Sequence, residues 1–165
     1  MSATDTRITH LRCEFLVDPL GIDERHPRLS WELESKRRGA RQSAYRVRVA
    51  STREKLAAGE GDRWDTGRIE GSQSVHVAYA GSSLVSRDDC HWSVEVWDET
   101  GALVRSRPAR WTMGLLEPGD WQARWIAADE EIIRRDPDAV ASTLTDCGTP
   151  AVFRREFKVS RSVRR

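Results

Sequence analysis

The chain of 165 residues contains no asparagine, which removes any N-glycosylation acceptor. Lysine is scarce, occurring at Lys36, Lys55 and Lys158, so the basic charge is carried by arginine. Cysteine is limited to Cys13, Cys90 and Cys147, an odd number with no paired spacing, which excludes a disulfide framework and fits a reducing compartment. No apolar run approaches the ~20 residues that span a bilayer. The opening MSATDTRITHL lacks the charged and apolar regions of a secretory signal. Charge of one sign is missing too: 27 basic and 26 acidic residues leave +1, which argues against a nucleic-acid or membrane partner. A cytoplasmic location is expected.

What is present is short-range alternation. In LRCEFLVDPLG, Leu11, Cys13, Phe15 and Val17 fall on one face by the period of two. PRLSWELE sets Leu29, Trp31 and Leu33 inward against Arg28, Ser30, Glu32 and Glu34. SAYRVRVAS opposes Tyr45, Val47 and Val49 to Arg46 and Arg48, and SVHVAY alternates Val75, Val77 and Tyr79. CHWSVEVWDETGALVRS reads as a hairpin with Trp92, Val94 and Val96 on one face and Gly101 in its turn. DRWDTG suggests a short edge strand around Trp64, and ARWTM closes the set. One short helix is expected after Ser51 or Thr52, ending at Gly59 or Gly61. About seven short strands with regular turn signals predict an all-β, antiparallel sandwich.

The organisation expected is a sandwich over residues 1–117, a connecting segment over 118–150, and the first strand of a second β-module over 151–165. The connecting segment is acidic, alanine-rich and broken by Pro137, Gly148 and Pro150. AVFRREFKVS alternates again with nothing after it to pair with, which reads as truncation of a second module.

No catalytic residue is expected. Glu32 and Glu34, two apart on one strand, stand roughly 6.6 Å apart by strand rise, within reach of the ~6.5–9.5 Å of an inverting glycosidase pair. They nevertheless point away from the core, with no cleft to desolvate either. His10 and Cys13, or Cys90 and His91, diverge across their strands, so no metal site is expected, and no cofactor. Trp31, Trp92 and Trp111 read as core. Trp97 is out of phase with Trp92 and Trp64 lacks an obvious core face, which makes these two the candidates for stacking on a sugar. Trp121 and Trp125, just after Glu-Pro-Gly-Asp, are candidates for packing between modules.

Six stretches in order carry a family resemblance: DPLGIDERHPRLSWEL, RQSAYRVRVAS, DRWDTGRI, YAGSSL, HWSVEVWDETG and MGLLEPGDWQARWI. Together they resemble the N-terminal region of bacterial α-L-rhamnosidases, and GTPAVFRREFKVSRSVRR is similar to the opening strand of that family's next β-sandwich. The resemblance implies an immunoglobulin- or fibronectin-like first module, followed by a jelly-roll-like module. A six-hairpin α/α barrel then carries the catalytic carboxylates that remove terminal α-L-rhamnose with inversion. No motif of that barrel is present, so the chain alone is expected to be inactive. Cys90 stands where the resemblance implies a tyrosine, so no tyrosine corner is expected there. The expected partners are the remaining modules of the same polypeptide and, through them, rhamnosides; an apolar seam without its neighbour would favour self-association. The alternative is an autonomous carbohydrate-binding or protein-interaction module.

Overall fold

A computed structural model describes residues 6–124, 154–156 and 158. The expected connecting segment beyond Arg124, the C-terminal strand and Trp125 lie outside the described residues. The chain divides into two compact units, Met1–Trp121 and Gln122–Arg165. Within the second, Arg154 and Glu156 form an ion pair.

The first unit is built from nine strands among the described residues: β1 (Thr6–Cys13), β2 (Arg28–Ser35), β3 (Gln42–Ala50), β4 (Trp64–Asp65), β5 (Ile69–Glu70), β6 (Val77–Ala78), β7 (Asp89–Asp98), β8 (Leu103–Arg105) and β9 (Ala109–Thr112). They form a three-stranded sheet, β1-β2-β6, and a larger one centred on β3 and β7. Strands β4 and β5 share the outer edge of β3, while β8 and β9 share that of β7, so the larger sheet is four strands wide. Every strand pair is antiparallel. The excess over seven strands comes from two-residue pieces too short to register as alternation.

Alternation produces the core where the ladder is regular. Leu29, Trp31, Tyr45, Val47, Val49, Trp92, Val94, Val96 and Trp111 are all buried between the sheets. The Trp31 indole donates to Gln42 Oε1 at 3.0 Å, and the Gln42 amide donates to Gln73 O at 2.7 Å. These bonds tie β2 of the smaller sheet to β3 of the larger one and to the segment before β6. The one helix, α1 (Arg53–Ala57), begins where Thr52 accepts from the Lys55 N–H at 3.2 Å. The β7–β8 hairpin turns through Gly101 at φ 82°. The Asp98 carboxylate organises that turn, accepting from Thr100 N at 2.8 Å and Ala102 N at 3.0 Å.

Two expected alternations fail, for the same reason. Strand β1 stops at Cys13 because Glu14 and Phe15 take positive φ, 48° and 65°, so Phe15 and Val17 leave the core face and stand in solvent. His76 at φ 56° likewise turns Val75 outward while Val77 and Tyr79 stay buried. A left-handed residue reverses the side-chain phase, and none of the three is glycine or asparagine to announce it.

Candidate functional site

The chain leaves the sandwich through residues 113–121, at the end where β1 and β9 finish and β2 and β7 begin. The exit is bonded on both sides. Met113 N–H donates to Asp88 O at 2.8 Å and Gly114 N–H to Ile22 O at 2.8 Å, while Gly114 O accepts from Arg87 N–H at 3.1 Å. Leu116 N–H donates to Ser86 Oγ at 2.8 Å, the Ser86 hydroxyl donates to the Asp120 carboxylate, and Arg25 pairs with Glu117. Glu117 N–H donates back to Asp120 Oδ2 at 3.0 Å, capping a 3-10 turn over Pro118–Asp120. The Ser86 hydroxyl holds the Asp120 carboxyl below its ordinary range. Gly114 is required by close approach: a Cβ there would meet Gly21 O at 2.9 Å. With its backbone groups paired in this way, the exit is part of the sandwich rather than a loose tether. Trp121 ends it, 54% exposed. Ser86, Asp120 and the Arg25–Glu117 pair carry no sequence signal, because each contact joins residues at least 30 positions apart.

Trp97 lies on the outer face of the larger sheet, opposite Ala44 and Leu103 in the ladder. The Arg68 guanidinium stands 4.7 Å from its ring centroid. Trp64 does have a core face, contrary to expectation. Strand β4 pairs it with Val49, and its ring meets Tyr79 edge-on at 5.4 Å against the buried cluster. Tyr79 in turn meets Trp111 at 5.9 Å and donates to Ser82 O at 2.8 Å, fixing the loop that precedes β7.

The carboxylates of the described residues are largely committed to cations. Glu32 pairs with Arg12 at 3.1 Å, and the His10 ring stands 3.1 Å from its carboxylate. Glu34 pairs with Arg7, whose hydrogen bond holds its carboxyl below the usual range and so unsuited to donate a proton at neutral pH. An open groove of about 510 Å³ beside α1 contains Glu95, clasped by Arg105 at 2.8 Å and Arg48 at 3.1 Å. A second, of about 670 Å³, runs between β1 and the β8–β9 edge. Its one carboxylate, Asp18, accepts from Arg110 N–H at 2.8 Å. Neither of these two grooves presents a pair of carboxylates. Cys13 and Cys90 are free and buried, and burial pushes both thiols up to about 12, which suppresses the reactive thiolate. Among the described residues, no three His, Cys, Asp or Glu side chains converge to hold a metal.

An antiparallel two-sheet sandwich with a bonded exit defines an immunoglobulin-like module. Residues 8–117 match the model of the Rha78A-like N-terminal immunoglobulin domain, and the chain belongs to that family. It is similar to an α-L-rhamnosidase of Streptomyces avermitilis, at 46% identity over 123 residues, 74% of this chain and 12% of that protein. A second α-L-rhamnosidase, of Alteromonas sp. (strain LOR), is 38% identical over 152 residues, 91% of this chain and 16% of that protein. Among solved structures, Streptomyces avermitilis α-L-rhamnosidase complexed with L-rhamnose superposes with a TM-score of 0.71 at 43% identity, over 76% of this chain and 12% of that one. The α-L-rhamnosidase from Dictyoglumus thermophilum gives a TM-score of 0.70 at 34% identity, over 75% and 14%. The chain therefore spans a small part of the length of these relatives. The fold and the family are those that the six sequence stretches imply.

Proposed function

We propose that this sandwich is the non-catalytic N-terminal structural module of an α-L-rhamnosidase, a glycoside hydrolase that removes terminal α-L-rhamnose with inversion. Its partners are the other modules of the same polypeptide, which hold the acid and base that this sandwich lacks. The observation that carries the reading is the family match over residues 8–117, in relatives of which the chain covers 12% and 16%. The bonded exit supports it: a frame of this kind fixes the direction in which the following chain departs. The test is turnover of an aryl α-L-rhamnoside by this chain and by the full native polypeptide. The chain alone is expected to be inactive and the full polypeptide active; turnover by the chain alone would overturn the assignment. We also infer a cytoplasmic location, which the buried free thiols support; recovery of the polypeptide from a secreted fraction would contradict it.

A second reading, an autonomous rhamnoside-binding module, is favoured by Trp97, an indole on an outer sheet face. Against it, Arg68 is stacked on that ring, so a sugar has to displace a cation–π contact. Titration calorimetry with rhamnosides separates the two: binding lost in Trp97→Ala would favour this reading, and silence at millimolar ligand would dismiss it.

A further inference from the structure

The loop between β1 and β2 holds four apolar side chains in water: Phe15 and Leu16 at 57% exposure, Val17 at 67% and Leu20 at 76%. Its backbone is nevertheless tightly bonded. Cys13 and Leu16 exchange hydrogen bonds at 2.9 and 3.0 Å, and Glu14 N–H donates to Arg28 O at 3.0 Å. Pro19 O accepts from Thr112 N–H at 3.0 Å, and Asp18 Oδ1 from Arg110 N–H at 2.8 Å. Glu14, Phe15 and Asp18 all sit at positive φ, 48°, 65° and 45°. Non-glycine residues persist there only when their surroundings hold them, and such sites cluster where function uses the geometry. The charged groups of the loop are tied down, Asp18 by the Arg110 N–H. Glu14 is clasped by the Arg28 guanidinium at 2.7 and 3.1 Å, and that guanidinium lies 5.0 Å from the Phe15 ring centroid. A rigid projection whose exposed side chains are mostly apolar suits an apolar surface rather than a charged one.

Its position says which surface. The same loop continues into Ile22, whose N–H donates to Thr112 O and whose carbonyl accepts from Gly114 N–H. The projection is therefore hydrogen-bonded to β9 and its loop, through Ile22, to Gly114 at the start of the exit, and exposed Val85, Leu115 and Trp121 belong to the segments at the same end. We propose that the Phe15–Leu20 projection docks into an apolar surface on the module that follows this sandwich in a longer polypeptide. The proposal rests on the functional reading above, in which most of the polypeptide lies beyond this chain, as it does in relatives covered to 12% and 16%.

The test places photo-reactive benzoylphenylalanine at position 20 of the full native polypeptide, and at position 75 as a control. Val75 is also apolar and 54% exposed but belongs to the segment before β6. Both sites are in solvent here, so folding is not at stake. The expected result is an intramolecular cross-link from position 20 to apolar residues beyond this chain's sequence, in yield several-fold above position 75. Equal yields at the two positions in a longer polypeptide overturn the docking and leave the functional reading intact. A covalent dimer from position 20 overturns it as well, by making a second copy the occupant. A native polypeptide no longer than this chain removes the functional reading itself, and the docking with it.

Discussion

The outer face of the larger sheet and the exit end of the sandwich are both surface, and they are finished in opposite ways. On the sheet face, charge is neutralised in place. Arg46 and Arg48 reach Asp65 at 2.6 and 3.3 Å, Arg48 and Arg105 clasp Glu95, and Arg68 covers Trp97. At the exit end the polar groups are consumed by backbone and loop contacts, leaving Phe15, Leu16, Val17, Leu20, Val85, Leu115 and Trp121 exposed. A face that satisfies itself needs no partner, whereas an ordered face that leaves apolar area in water is built for one.

The largest effect should come from removing what joins the two regions. Trp111 is fully buried on β9 and touches Tyr79, which anchors the loop before β7. Trp111→Ala should cost about 3–5 kcal/mol, read from the denaturant midpoint, with amide protection in residues 84–88 lost first. A midpoint shift below about 1 kcal/mol would show that the loops at the exit do not depend on the core. Next, Gly114→Ala forces a Cβ to within 2.9 Å of Gly21 O. It should cost about 1–3 kcal/mol and loosen the exit while leaving the β3–β7 ladder protected, as hydrogen exchange can report.

Acid should act on the sheet face. The Arg46 hydrogen bond lowers the Asp65 carboxyl from 3.8 to about 2. A depressed carboxylate contributes stability above its unfolded value and loses it as pH falls through the folded one. Unfolding free energy should therefore drop between pH 3.8 and 2, and Asp65→Asn should flatten part of that slope. An unchanged slope would mean that the Arg46–Asp65 pair contributes nothing.

The smallest effects sharpen the contrast between the faces. Trp97→Ala should cost about 1 kcal/mol, of which a double-mutant cycle with Arg68→Ala assigns about half or more to their stacking. Leu20→Asp in this chain should stay within about 0.5 kcal/mol of the parent, because Leu20 touches mostly water. If the order is reversed, and Leu20 matters more than Trp97, then the exit end is packed rather than open.

Legibility in the sequence followed the regularity of the backbone. Strands β2, β3 and β7 were readable because each inward residue is two positions from the next, and Thr52 and Gly101 marked their helix start and turn by residue type. Alternation alone points Phe15, Val17 and Val75 inward, whereas left-handed Glu14, Phe15 and His76 invert the phase without a glycine to signal it. The core face of Trp64 carries no sequence signal because its strand is two residues long and its partner Tyr79 is 15 positions away. The exit was visible as a turn between tryptophans and β9, but its frame was not. That frame is made by Ser86, Asp88 and Ile22, residues that become neighbours only once both sheets have formed.

The central claim is that this sandwich serves a longer enzyme. An antibody against it, used to blot extract from the source cells, tests that claim most directly. The account predicts a band several-fold larger than the 18.8 kDa of this chain. A single band at 18.8 kDa would contradict it and leave a module that acts alone.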